Sequence, residues 1–346
     1  MDDLFSRLFE LFNQPGPVNW KLAGEVARHL AGEPEPVDPW SADEQRELVR
    51  LAEYRLEVEA PFPVPPVGEV RVVDSVGWVE LALTGFGYLA EAIADAGSAG
   101  GAQALPGIGA TLAGMQVGSL VGTVSREVSA SFETGLPIEP PGPLLVINSG
   151  VERVIAACGA VPRDVRLWAA AEEVAHRALF GVPWLTDHLA RLAGTYSGHL
   201  LPDPEKLMKL WTEDPEGLSS KLSGAGSVAD LFANEAAVPH RQALEAFLAV
   251  SSGYRHFLVK KALGNLLSQV DSFSSPPVAA AAGLTLPIGR HELTMSGAGF
   301  CDEIERRYGR EALDGIWQGP ERLPTQGELT DPVGWAARVL LADPFV

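Results

Sequence analysis

Three side chains that could perform chemistry lie within five residues of one another: Glu172, Glu173 and His176. They have the frame of the HExxH motif, in which two histidines one helical turn apart bind zinc and the glutamate after the first is the general base for the zinc-bound water. Glu173 has the general-base position and His176 the second-ligand position, whereas Glu172 replaces the first histidine. The same spacing also fits an exposed helix face with two carboxylates and a histidine, because matches to such short motifs are often accidental.

A helix and a preceding strand must position these residues. The periodic segment from about Asp164 to Phe180 predicts the helix, and the apolar run Leu144–Ile147 predicts the strand. In zinc proteases an edge strand next to the motif helix can hold an extended peptide by main-chain pairing. We therefore predict that Leu145, Val146 and Ile147 contact the substrate.

The remaining apolar periodicity is mainly helical. It predicts a mainly α fold (α+β), with a small β-sheet next to the motif helix. Ser41 and Glu44 fit a capping box at the start of one helix. The chain is interpreted as a single domain over 1–346, with an N-terminal helical region at 1–66 and a flexible connector at 272–290. Further elements are predicted at about Trp20–Leu30, Ser41–Glu59, Val70–Val73, Ser75–Ala96, Arg241–Leu267 and Ser296–Tyr308.

The uncharged stretch between Asp95 and Arg126 contains Gly114, Gly118 and Gly122 at four-residue intervals. This spacing lets two helices approach closely, as in membrane helix pairs. The stretch is interrupted by Gly and Pro and has no basic flank, which argues against a membrane span. We therefore expect a tightly packed helix in the core of the protein.

Composition limits the class of partner and the compartment. The 346 residues carry a formal net charge of −19, which argues against a nucleic-acid surface or an anionic membrane as partner. Cys158 and Cys301 are too few and too far apart for a disulfide framework. The acidic, amphipathic N-terminus does not have the pattern of a signal peptide. These features predict a cytoplasmic protein, and the strand next to the motif helix suggests a peptide or another protein as its partner.

Several blocks of the sequence, in this order, resemble the zincin-like metallopeptidase family of actinobacteria and relatives, whose members are associated with biosynthesis of a deazaflavin coenzyme. The similarity spans about Val70 to Arg338 and implies a zincin-like hydrolase fold. The blocks are VGSLVGTVSREV, GPLLVINSGVERV, LWAAAEEVAHRALFGVPWL, LAVSSGYRHFLV, GAGFCDEIERRYG and ERLPTQGELTDPVGWAAR.

The resemblance also implies a ligand set, from which this chain departs. It gives Glu173 the catalytic position and His176 a zinc-ligand position, and it places Glu172 where the family has a histidine. Ser252 occupies the altered position of the third ligand, a glutamate in the family, and Tyr254 in the same step is predicted to contact the substrate. Zinc is the implied cofactor; a site without metal is the alternative.

Substitute ligands are conceivable on the same predicted helix as Ser252. Glu245 precedes Ser252 by seven residues and His256 follows it by four, so all three share one helical face. The other histidines lack ligand spacing and are predicted to be surface or capping residues, as is His256 if it is not a ligand. They are His188, His199, His240 and His291. The pair Asp187-His188 lacks the GxSxG sequence of a serine hydrolase.

Three functional interpretations follow. The first is a degenerate zincin-like hydrolase, a pseudoenzyme that retains the metallopeptidase scaffold and binds a peptide or protein. The second is an active metal-dependent peptidase with substitute ligands and Glu173 as base. The third is a non-enzymatic helical scaffold that binds proteins and has no cleft around His176.

Overall fold

The computed structural model describes residues 16–38, 40–99, 108–199, 235–267, 269–273 and 291–341. Two short strands, β1 (Val70–Val73) and β2 (Leu144–Ile147), accompany the helices, so the predicted mainly α fold with a small sheet is confirmed. The helices of the described residues are α1 (Trp20–Ala31), α2 (Ser41–Glu59), α3 (Ser75–Gly85), α4 (Gly87–Ala99), α5 (Ile108–Ser125), α6 (Asn148–Cys158), α7 (Pro162–Phe180), α8 (Leu185–His199), α9 (Val238–Leu263), α10 (His291–Tyr308), α11 (Arg310–Asp314) and α12 (Pro332–Val339).

The long helix α9 lies at the centre of the protein. All its residues from Leu244 to Val259 are buried, as expected for a helix that packs on all sides. It packs against α2, α7, α8 and α10. Gly253 faces Gly297 of α10 so closely that a Cβ on either residue would collide with the backbone of the other helix. The glycine in the middle of α9 is therefore needed for close helix packing.

Helices α1 and α5 form a second close pair. A Cβ added at Gly118 would lie 2.5 Å from the Ala23 carbonyl oxygen, and one at Gly122 would lie 2.6 Å from that of Ala27. The regularly spaced glycines thus let the two backbones touch, which confirms the predicted packed helix. Within the described ranges, none of the helices has both the length and the apolar character that crossing a bilayer requires.

Strand β2 is buried along its whole length and pairs in parallel with β1, Val70 opposite Leu144 and Val73 opposite Ile147. The other edge of β2 is covered by the preceding chain. Ala130 forms an antiparallel bridge with Val146, and the Ile147 N–H donates to the Ser129 carbonyl at 2.7 Å. The strand predicted to offer an open edge therefore has neighbours on both sides.

Helix α2 begins at Ser41 as predicted, but the predicted capping box does not form. The Ser41 hydroxyl donates to the Asp38 carbonyl, and the Trp40 N–H donates to the Asp38 carboxylate at 3.0 Å. The turn before the helix is thus closed by Asp38, because a short carboxylate can accept from a backbone N–H two residues later.

The buried apolar side chains form one connected cluster that extends from Val18 to Val339. The single-domain organisation over 1–346 stays a prediction. The amphipathic pattern at 1–15, the weakly patterned segment 200–234 and most of the proposed connector, 274–290, lie outside the described residues.

Candidate functional site

Helix α7 carries the motif residues in the interior. Glu172 is 1%, His176 2% and Glu173 4% exposed, although ionisable groups are rarely this deeply buried unless they are paired. Alanines at 169, 170, 171 and 175 keep the surrounding helix surface narrow, so that neighbouring elements approach closely. The alternative of an exposed, solvated helix face is therefore wrong.

The segment from Ser131 to Leu136, which begins with a single 3₁₀ turn (Ser131–Thr134), lies against the motif. The Phe132 N–H donates to Glu173 Oε2 at 2.7 Å. The Phe132 carbonyl accepts from Arg255 at 2.9 Å, and the backbone of Leu136 forms a hydrogen bond with His176. This segment therefore joins α7 to α9 through its own backbone.

Glu172 forms a buried ion pair with α9. Its Oε2 accepts from Arg255 Nε at 2.6 Å, and its Oε1 lies 2.9 Å from His256 Nδ1. Burial alone would raise the pKa of Glu172, but the Arg255 charge and the His256 hydrogen bond lower it overall. Arg255 also lies over the Phe132 ring, 4.9 Å from its centroid. The guanidinium is thus held by a carboxylate, a carbonyl and an aromatic face, and it keeps Glu172 ionised.

His256 continues this network toward the surface. Its Nε2 lies 3.1 Å from Asp271 Oδ1, and Lys260 donates to the other Asp271 oxygen at 2.8 Å. Burial opposes the charged imidazolium, yet the hydrogen bonds to Glu172 and Asp271 raise the pKa of His256 overall. With both ring nitrogens facing carboxylates, His256 has no free lone pair to offer a metal. It is not a surface or capping residue, because it is buried within the ion-pair network.

Glu173 and His176 have pKa values shifted toward their neutral forms. Burial raises the pKa of Glu173 to about 7, despite the nearby positive charge of Arg177. Burial, followed by the charge of Arg255, lowers the pKa of His176 to about 3. Among the described residues, His176 Nε2 finds no hydrogen-bond partner. Glu173 can therefore exchange a proton near neutral pH, and neutral His176 offers an unused ring nitrogen.

We tested these residues against the requirements of a catalytic zinc, which needs three protein ligands and an open position for water. Both oxygens of Glu172 already accept hydrogen bonds from cationic groups, and Ser252 offers only a neutral hydroxyl. In the part of the chain that the structure describes, no three His, Cys, Asp or Glu side chains are grouped so that they could hold a metal. The guanidinium of Arg255 adds a fixed positive charge beside His176. The donor set therefore does not fit a catalytic zinc.

The other predicted site residues are distributed around this centre. Glu245 lies two helical turns before Ser252, about 10 Å along the axis. There its carboxylate lies 3.8 Å from Arg241 and 3.5 Å from Gln326. Tyr254 is fully buried, and its hydroxyl donates to Asp314 at 2.6 Å. The roles assigned to these residues stay predictions.

Leu145, Val146 and Ile147 are at most 2% exposed and belong to the covered strand β2. Their predicted contact with substrate stays a prediction, and both edges of the strand already have backbone neighbours.

The other histidines predicted to be surface or capping residues have contacts of their own. His188 contacts Arg191 at 2.7 Å, and burial lowers the pKa of His188 to about 4. His199 bonds to the Thr195 carbonyl at the end of α8 and stacks on His240, with ring centroids 4.1 Å apart. His291 is exposed at the start of α10. The contact of His199 is the capping role expected for such residues.

Sequence reasoning missed Arg255, Asp271 and Phe132. Arg255 could have been found, because it is an arginine within the apolar run LAVSSGYRHFLV, and a charge in a buried helix requires a partner. Phe132 acts through its backbone groups, so nothing in its side-chain type indicated this role.

Comparisons with known proteins agree with this architecture. A crystal structure from Chloroflexus aurantiacus, described as that of a putative hydrolase with a novel fold, superposes with a TM-score of 0.63 at 20% identity, covering 93% of this chain and 98% of that one. This similarity shows the fold alone. The comparison with curated proteins finds no match. The association with deazaflavin-coenzyme biosynthesis stays a prediction. A sequence model of the zincin-like metallopeptidases matches residues 18–276 and 278–336, nearly the whole chain. The chain therefore belongs to the zincin-like metallopeptidase family.

Proposed function

We propose that this protein is a zincin-like scaffold in which the Arg255 guanidinium replaces the metal cation. In this proposal zinc-dependent hydrolysis is lost, and the remaining activity is binding of a peptide or protein. The observation that carries the proposal is the buried ion pair at the first-ligand position, with Arg255 Nε 2.6 Å from Glu172 Oε2.

The electrostatics of the site support this interpretation. The Arg255 guanidinium brings a positive charge into the site, where it pairs with Glu172. A divalent cation at His176 would meet this charge in a buried environment, where screening by water is weak. Zinc at Glu172 would stand beside the Arg255 guanidinium, and any movement of the carboxylate from Arg255 toward the metal would weaken the buried ion pair.

The alternative is an active metal-dependent hydrolase with Glu245 or His256 as substitute ligand. The contacts of both residues argue against it. His256 faces a carboxylate at each nitrogen, and Glu245 lies about 10 Å along α9 from the position of Ser252. Glu173, with its pKa raised to about 7, retains the chemistry of a general base.

The experiment is the zinc content of the full chain, purified without chelators and without a histidine tag, together with its melting temperature with and without added zinc. We expect far less than one zinc per chain and no increase in melting temperature, because a ligand that binds only the folded state would raise it. His176→Ala should leave the zinc content unchanged.

His29→Ala is the matched control, because His29 is an exposed histidine on α1. One zinc per chain that is lost in His176→Ala and retained in His29→Ala would overturn the proposal. Peptide hydrolysis that disappears in Glu173→Gln would also overturn it, since it would assign a catalytic role to the general-base position.

A further inference from the structure

A cleft of about 600 Å³ opens between the linker after α2, the turn after α7 and the segment that begins with α11. This volume is in the range of small-molecule and side-chain binding sites. Residues that line it include Phe62, Val182, Arg310, Glu311, Asp314 and Trp317. The motif residues Glu172, Glu173 and His176 are not among its lining residues.

Aromatic rings make the apolar part of the cleft rigid. Tyr254 lies beneath it, with its ring centroid 6.2 Å from that of Phe62 and 5.0 Å from that of Trp317. The Tyr254 hydroxyl is fixed by its hydrogen bond to Asp314. Trp184 donates to the Trp317 carbonyl at 3.1 Å, which holds the other side. The apolar surface is therefore formed before any ligand arrives, which lowers the entropic cost of binding.

Acidic groups surround the polar part of the cleft. Arg310, the cation among the described lining residues, donates to Asp314 Oδ1 at 2.7 Å and has Glu59 and Glu305 within 4 Å. Arg310 is thus already neutralised by the protein. Glu311 is exposed at the rim and forms no ion pair with any described residue. The cleft therefore presents uncompensated negative charge next to aromatic faces.

We propose that this cleft binds a lysine or arginine side chain of a peptide or protein partner. The aliphatic part of such a side chain would lie against Phe62 and Trp317, and its cationic end would face Glu311. Basic side chains have this combination of apolar stem and charged head, and cations are attracted to aromatic faces. The net charge of −19 would steer a basic partner toward the protein from a distance. The inference rests on the proposed function, because it names the class of partner that the scaffold binds.

The experiment is a calorimetric titration of the full chain with three blocked tripeptides, acetyl-Ala-Xaa-Ala-amide, in which Xaa is arginine, norleucine or glutamate. We expect the arginine peptide to bind about tenfold more tightly than the norleucine peptide, and the glutamate peptide to show no binding. Glu311→Gln should lower the affinity for the arginine peptide by about threefold, as expected for the loss of an exposed charge pair. Glu25→Gln, an exposed carboxylate on α1 with the same charge change, should leave the affinity unchanged.

The indole resonance of Trp317, identified among the eight tryptophans by its loss in Trp317→Phe, reports where the peptide binds. A saturable shift of this resonance with the arginine peptide supports the cleft. Equal binding of the arginine and norleucine peptides, or binding that is insensitive to Glu311→Gln and leaves the Trp317 resonance unmoved, overturns it. Zinc measured in the same samples separates the two proposals. Metal-free protein that binds no arginine peptide overturns only the proposal that the cleft binds a basic side chain. Stoichiometric zinc overturns only the proposed function.

Discussion

Replacing Arg255 by methionine tests the central ion pair directly. The substitution leaves Glu172 buried, with His256 as its remaining described hydrogen-bond partner, and removes the hydrogen bond to the Phe132 carbonyl. Breaking a buried pair by removing one partner costs about 3–5 kcal/mol, and an unsatisfied buried carbonyl adds about 1–3 kcal/mol. Because Glu172 keeps the His256 contact at 2.9 Å, we expect Arg255→Met to lower the free energy of unfolding by about 4 kcal/mol.

The assay is urea unfolding followed by circular dichroism, applied to a double-mutant cycle. Glu172→Gln should also be strongly destabilising, because it leaves the Arg255 charge buried without a carboxylate. The double variant should be more stable than the sum of the two losses predicts, by about 2 kcal/mol, since neither charge then remains unpaired. Arg46→Met is the matched control. Arg46 pairs with Asp43 on the surface, with side chains 50% and 58% exposed, so its loss should cost less than about 1 kcal/mol.

Two results would refute this reasoning. If Arg255→Met is no more destabilising than Arg46→Met, the guanidinium does not compensate a buried charge. If the losses in the double variant simply add, Arg255 and Glu172 do not depend on each other.

Two further predictions concern proton binding and helix packing. Burial raises the pKa of Glu173 from its ordinary value of 4.5 to about 7, so the folded protein binds this proton more tightly than the unfolded chain. The contribution of Glu173 to stability therefore falls as the pH rises from about 4.5 to about 7. Between about pH 5 and pH 8, the free energy of unfolding of Glu173→Gln should therefore rise relative to that of the wild type by up to about 3 kcal/mol, measured by urea unfolding. A difference between the two proteins that does not change with pH would contradict the shifted pKa. Gly118→Ala should lower the free energy of unfolding by about 2–3 kcal/mol, because the added Cβ would meet the Ala23 carbonyl. Gly87→Ala is the control: a Cβ there meets nothing within 4 Å, so this variant should be neutral or slightly stabilising. Equal effects of the two substitutions in thermal unfolding would contradict the close packing of α1 and α5.

The family and the motif helix could be predicted because their patterns are local. The periodicity of the segment from Asp164 to Phe180 specified a helix, and the structure has it at Pro162–Phe180. That Glu172 and Ser252 stand at altered ligand positions stays a prediction. The four-residue spacing of Gly114, Gly118 and Gly122 likewise indicated close packing, because helical periodicity places these residues on one face.

The environment of the motif could not be predicted in the same way. The partner of Glu172 is 83 positions away in the sequence, and the groups that fix Glu173 and Arg255 belong to the backbone of Phe132. The spacing of Glu172, Glu173 and His176 fits an exposed face as well as a buried one, and only packing against α9 distinguishes them. Burial in turn shifts the pKa values of Glu173 and His176.

The sequence by itself therefore determined the motif helix and the strand β2, because each depends on residue type and on spacing within one segment, whereas the single helix predicted over Ser75–Ala96 is two helices, Ser75–Gly85 and Gly87–Ala99. Only the tertiary structure decided that Arg255 occupies the position opposite Glu172, that both edges of β2 are covered, and that an acidic aromatic cleft forms beside Tyr254. The physical reason is that charge pairing, burial and cavities arise between segments far apart in the chain, and these interactions are fixed only when the helices pack.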